Sequence, residues 1–239
     1  MSAILKETKS EQSRAGLTFG GNLRAAVFGV SDGLVSNTSL IMGVSGAFAD
    51  ARTVLITGAA GVLAGALSMA AGEYVSMRSQ RELFEQQLER EREALQTRPK
   101  EEVDALARIY HSRGVPLEVA CRISKALSAD ERSALETHAR EHLGLNPQDL
   151  GSPVGAAVSS FVSFALGATV PLLPFLLGAG NRAFAIATVL AAVSLFAVGA
   201  TSSRLTGQAR LRGGLRLVVV GGGAGVIAFF IGKLLGVSA

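Results

Sequence analysis

A chain of 239 residues that is 49% hydrophobic, contains 28 glycines and is only 18% charged does not have the composition of an ordinary soluble domain. Its charges are also concentrated: residues 76–152 hold 12 of the 23 Lys and Arg and 14 of the 19 Asp and Glu, while the formal net charge is +4. A single cysteine, Cys121, excludes an intramolecular disulfide and with it a disulfide-stapled secreted domain, and the mild positive balance implies no nucleic-acid partner.

The N-terminal stretch MSAILKETKSEQSRAG is polar and has no apolar run before Thr18, so no cleavable signal peptide is expected. Five apolar windows follow, at Leu23–Phe48, Val54–Val75, Val154–Leu177, Ala183–Ser203 and Leu215–Leu235. Each is close to the ~20 residues that carry a helix across about 30 Å of hydrocarbon. The expected fold is an all-α integral membrane protein with five transmembrane helices in a lipid bilayer. It divides into 1–75 (tail and spans one and two), 76–152 (a helical insert) and 153–239 (spans three to five). With the N-terminus inside, Lys6, Lys9, Arg14, Arg24, the insert and Arg204, Arg210, Arg212 and Arg216 share the cytoplasmic side, leaving only Arg52, Arg182 and Lys233 opposite. That asymmetry predicts a cytoplasmic N-terminus and insert and an external C-terminus.

Within the spans the acidic residues are Asp32 and Glu73. A carboxylate at membrane depth costs at least about 2.5–3.5 kcal/mol on insertion scales, and binding ions or protons is the usual reason to keep one there. Asp32 lies eight residues inside Arg24, roughly 12 Å along a helix. It heads a polar stripe with Ser36, Ser39 and Gly43, and Asn37 and Thr38 lie beside it. In span two, Gly61, Gly65, Met69, Glu73 and Met77 recur every four residues, small at one end and ligand-bearing at the other. Two carboxylates with a thioether suit Fe²⁺ or Mn²⁺ better than Na⁺ or Cu⁺. The ordinary alternatives are that Met69 is core filler and that Glu73 snorkels to the interface.

The insert reads as helices. RSQRELFEQQLEREREAL continues span two without Gly or Pro, so one long helix is expected as far as Pro99. Further helices are expected over Lys100–Ser112, Leu117–Leu127 and Ser128–Leu143, the last opened by a Ser128-x-x-Glu131 capping box and closed by Gly144. Glu82, Glu85, Glu89 and Glu93 share one helical face and could bind divalent metal if a second ligand-bearing helix faced them. Glu102, Glu136 and Glu141 are the acidic candidates for that helix, with Glu101, His138 and His142 also available. The alternative is a solvated face paired through Arg78–Glu82 and Arg81–Glu85, although Arg before Glu is the weaker order. In span three, Pro171 and Pro174 should kink or end the helix.

VFGVSDGLVSNTSLIMGVSGA in span one and AGALSMAAGEYVSMRSQRE ending span two closely resemble the two signature regions of the vacuolar iron transporter family, and ALGATVPLLPFLLG resembles its third span. LARIYHSRGVP and LETHAREHLGL in the insert resemble the bacterial branch. The resemblance implies a five-span homodimer with a path between the first and second spans of both copies. It also implies a cytoplasmic metal-binding insert and export of Fe²⁺ or Mn²⁺ from the cytosol in exchange for protons, here across a bacterial plasma membrane. By motif matching it places the pore carboxylate on Asp32, the pore methionine on Met69 and the mouth carboxylate on Glu73. No resident cofactor is implied, and no nucleotide-binding motif is present to power transport.

Two other metal-binding classes are represented only by incomplete motifs. His138-Ala-Arg-Glu141-His142 matches the H-x-x-E-H arrangement of zinc peptidases, but no His follows it and the last acid is Asp149, so the third ligand is missing. The paired E-x-x-H motifs of di-iron bundles are absent. The remaining alternative is a membrane-bound metal sensor or store, which has little use for Asp32 inside the first span.

Overall fold

The computed structural model describes residues 26–47, 50–147, 150–205 and 207–237, which form helices and no strands. The N-terminal segment with Lys6, Lys9, Arg14 and Arg24, the end of span one at Phe48, and Asp149 lie outside the described residues. The helices are α1 (Ala26–Gly46), α2 (Ala51–Thr97), α3 (Pro99–Ser112), α4 (Leu117–Leu127), α5 (Glu131–His142), α6 (Pro153–Thr169), α7 (Leu173–Leu176), α8 (Ala183–Leu205) and α9 (Arg210–Val237). The chain separates into two compact units, residues 1–74 with 154–239 and residues 75–153.

Five helical segments are long and apolar enough to cross a membrane: Ala26–Gly46, Ala51–Thr97, Pro153–Leu176, Gly180–Arg204 and Arg210–Gly236. Their outward positions carry large apolar side chains such as Leu63, Leu166, Val189, Val219 and Ile227, each more than half exposed. Such a surface suits lipid and would be untenable in water. With no hydrophobic force to press helices together in lipid, association depends on close packing, which small residues permit. A Cβ at Gly33 would lie 2.3 Å from the Phe164 carbonyl oxygen, and one at Gly167 would lie 2.2 Å from that of Val30, so α1 and α6 cross nearly backbone to backbone. Gly43 and Gly232 make a similar contact between α1 and α9, where a Cβ on Gly232 would stand 1.8 Å from the Gly43 oxygen.

The third span breaks where its prolines predict. α6 ends at Thr169, a 3-10 turn spans Val170–Leu172, and the short α7 follows. Pro171 has no N–H for the carbonyl four residues back, which removes a helical bond at that point. Leu172, the last residue of that turn and only 3% exposed, packs with Ile41 and Val54.

In the second unit, α3 and α4 are joined through Gly114 at φ +94°, a conformation that suits glycine. α5 starts later than the sequence suggests. Its N-cap is Asp130, whose carboxylate accepts from the Ser133 N–H at 2.9 Å, so the Ser128 capping box does not form. Asp is as good a cap as Ser and stands directly before the first helical turn. Gly144, at φ +66°, ends the helix as expected, with the Leu145 N–H donating to the Ala139 carbonyl at 2.9 Å.

Candidate functional site: a polar cleft in the membrane unit and a histidine–carboxylate cluster in the insert

In the membrane unit, the periodicity of α1 places Asp32, Ser36 and Leu40 on one face beside Asn37, opposite Gly61, Gly65 and Ser68 of α2. These residues and Phe164 enclose a cleft of about 230 Å³. The two glycines matter because they leave room: a Cβ at Gly65 would fall 2.2 Å from the Phe164 ring, and one at Gly61 would fall 2.8 Å from the Asn37 Oδ1. Ser36 Oγ donates to Asp32 Oδ1 at 3.2 Å. Asn37 is 1% exposed, and its Nδ2 donates to the Ala168 carbonyl at 2.6 Å. Its Oδ1 is buried and has no hydrogen-bond partner among the described residues. The cleft therefore offers a carboxylate, an amide oxygen and hydroxyls, all of them hard donors suited to a divalent cation.

The other two expected path residues are placed differently. Met69 packs against the apolar cluster of Ala66, Phe164 and Ala168 rather than lining this cleft, where Ser68 takes the position beside Gly65. Glu73 is partly exposed and forms no ion pair among the described residues.

In the insert, the structure gathers Glu91, Glu102, His138 and His142, with one ligand atom from each lying within 4.8 Å of the others. That span is close to twice the ~2.1 Å length of a first-row metal–nitrogen or metal–oxygen bond. Glu91 Oε1 lies 3.2 Å from Nδ1 of His138 and 3.3 Å from Nδ1 of His142. The Nε2 atoms of both rings are buried without a hydrogen-bond partner among the described residues. Burial holds the His138 pKa below the ordinary imidazole value, and His142 acts in the same direction, while Glu91 and Glu102 oppose the shift. That shift favours the neutral ring, the form that has a lone pair to offer a metal. Two imidazoles and two carboxylates suit Fe²⁺, Mn²⁺ or Zn²⁺.

Of the acidic insert residues expected as ligands, Glu102 alone belongs to this cluster, together with His138 and His142, which were also available. The row Glu82, Glu85, Glu89 and Glu93 is not gathered into a site. Arg78 binds Glu82 at 2.7 Å, Arg81 binds Glu85 at 2.8 Å and Arg92 binds Glu89 at 2.7 Å, all exposed, and Glu93 is exposed as well. The geometry of α2 accounts for this, because its partly buried face runs through Phe84, Leu88, Glu91 and Leu95 and the row lies on another face. Glu136 contacts Arg132 and Arg140 at 3.5 and 3.6 Å. Glu141 is bound by Arg113 and by the Tyr110 hydroxyl, so the acid of H-x-x-E-H is engaged elsewhere than with the histidine pair. Sequence reasoning passes over Glu91 because the neighbouring acids form the more regular row. The signal for it is a single carboxylate interrupting the apolar stripe of α2, with His138 and His142 one turn apart on α5.

The sequence matches the model of the VIT family over residues 23–233. It is 30% identical over 219 residues to vacuolar iron transporter 1 of Arabidopsis thaliana, covering 91% of this chain and 88% of that protein. To the vacuolar iron transporter of Acanthamoeba castellanii it is 35% identical over 227 residues, 93% of this chain and 81% of that one. It is also 35% identical over 214 residues to vacuolar iron transporter homolog 5 of Oryza sativa, covering 89% and 79%. These relatives are plant and amoeba proteins, so the match does not single out a bacterial branch. Because it runs from the first apolar helix through the insert to the last, this chain belongs to the VIT family and is a multi-pass membrane protein.

Proposed function

We propose that the protein is a secondary transporter that moves Fe²⁺, Mn²⁺ or both out of the cytosol in exchange for protons. The observation that carries this reading is Asp32: an ionisable group inside an apolar helix, opening onto a cleft whose other donors are also oxygens. The names of the relatives, which are iron transporters, point to the same cargo. In this reading the insert captures the ion on Glu91, Glu102, His138 and His142, where two imidazoles among four donors favour a transition metal over Ca²⁺ or Mg²⁺. Glu73 receives it at the mouth and Asp32 holds it within the span. Met69 joins the path in a homodimer, in which the α1 and α2 faces of two copies meet. A carboxylate that binds either a cation or a proton couples the two, because each must leave before the other enters. The N-terminus and insert are cytoplasmic, following the Lys and Arg distribution, in a bacterial plasma membrane, following the insert motifs.

Liposomes containing the purified protein and an internal metal-sensitive dye test this directly. Fe²⁺ and Mn²⁺ should enter at least about tenfold faster with a pH gradient, acidic inside, than without one, and Zn²⁺ should enter more slowly than either. The insert cluster also favours a second reading, a membrane-bound metal sensor or store, because it binds metal whether or not the spans conduct. Saturable metal binding with no flux under any gradient would support that reading instead.

A further inference from the structure

We infer that Asn37 is a ligand of the transported ion, held in position by the third span. This rests on the transport reading above and assigns a residue to the cleft that Asp32 alone does not complete. The Ala168 carbonyl can only accept a hydrogen bond, so the amide of Asn37 must turn its Nδ2 toward α6, at 2.6 Å. Its Oδ1 is thereby turned away from α6, toward Gly61, one of the residues that line the cleft with Asn37 itself. That oxygen is buried in a side chain only 1% exposed and has no partner among the described residues. A buried amide oxygen is costly to leave unsatisfied, and a protein that has already anchored the other end of the group has fixed it in that state. A partly dehydrated divalent cation supplies the missing partner.

The neighbouring groups fit that ligand. Asp32 brings the negative charge and Ser36 and Ser68 line the same cleft, so the donors are all oxygen, with one charge among them. Mn²⁺ and Fe²⁺ accept such a set, and the low charge lets the ion leave again, as transport requires. Gly61 is required for the arrangement, since a Cβ there would stand 2.8 Å from the Asn37 oxygen and close the space. The anchor is also well placed: Ala168 lies in the last turn of α6 before the 3-10 break at Val170–Leu172. Occupancy of the cleft and the conformation of that break are therefore linked through one side chain.

The test uses the full-length protein with His138 and His142 both replaced by Ala, so that the insert cluster does not contribute. In this parent, Mn²⁺ should raise the melting temperature in detergent and drive saturable flux in liposomes. Asn37→Leu, similar in size but without either polar atom, should abolish the Mn²⁺-induced shift and raise the KM for Mn²⁺ at least tenfold. Asn37→Asp keeps the oxygen, adds charge and gives up the donor to Ala168. It should lower the KM for Mn²⁺ and slow turnover, a split that a purely structural clamp would not produce. If Asn37→Leu keeps both the Mn²⁺ shift and the KM of the parent, Asn37 is not a ligand, although the transport reading stands. If Asn37→Leu does not fold, Asn37→Asp decides, and a KM unchanged or raised in that variant overturns the assignment. A parent that shows neither shift nor flux overturns the transport reading, and this assignment with it.

Discussion

Replacing Asp32 by Asn should lower the initial rate of Mn²⁺ or Fe²⁺ entry into liposomes at least 100-fold while leaving the melting temperature within a few degrees of the native protein. The substitution keeps the shape of the side chain and its capacity to accept from Ser36 Oγ, now 3.2 Å away. It removes the charge that, in the proposed mechanism, attracts the cation and exchanges a proton for it. A 100-fold loss corresponds to about 2.7 kcal/mol of transition-state stabilisation, a modest demand on an ionised ligand at membrane depth. Stability should change little because Asp32 is partly exposed to the cleft and forms no ion pair among the described residues. Flux within twofold of the native protein, with the fold intact, would remove Asp32 from the mechanism.

The second large effect is expected in the insert. Changing His138 and His142 together to Ala should weaken metal binding by the full-length protein at least 100-fold at the tighter class of site, measured by titration with Mn²⁺ or Fe²⁺. The two rings supply the nitrogen donors of the cluster, and their Nε2 atoms have no other partner among the described residues. Replacing Glu82, Glu85, Glu89 and Glu93 together by Gln serves as the comparison and should change that affinity by no more than about twofold. Three of these acids already pair with arginines on an exposed face, where such pairs contribute little. The reverse order of effects would return the metal site to the glutamate row and leave the histidine cluster as a packing feature. His138→Gln alone keeps a polar group near Glu91, and it separates loss of a ligand from loss of the fold of α5 in the double variant.

Much of the architecture could be read from the chain because the bilayer sets a length that the sequence must meet. The five apolar windows correspond to the five long helices, and Pro99, Pro116, Pro171 and Gly144 mark where helices start, break or stop. Asp32 stands out as a candidate on similar grounds, since a carboxylate among apolar residues is retained mainly where it binds an ion or a proton, and the structure places it in the wall of a cleft. What could not be read depends on tertiary contacts. Nothing local to Asn37 shows that its donor reaches Ala168, 131 residues away, and so nothing shows that its oxygen is left free. Met69 lies on the expected helix, but the ring of Phe164, seated in the space above Gly65, draws it into an apolar cluster of the single chain. Glu91 differs from Glu89 and Glu93 only in which face of α2 it occupies, and that face is defined by the helices that cover it.

The most direct test of metal–proton exchange is to follow the internal pH of liposomes when only a metal gradient is applied. With no initial pH difference and the membrane potential clamped, inward Mn²⁺ should drive protons out, making the lumen alkaline at a rate that tracks metal entry. Both signals should vanish together in Asp32→Asn. Mn²⁺ entry with no change in internal pH would contradict exchange, and tight Mn²⁺ binding with neither signal would contradict transport itself.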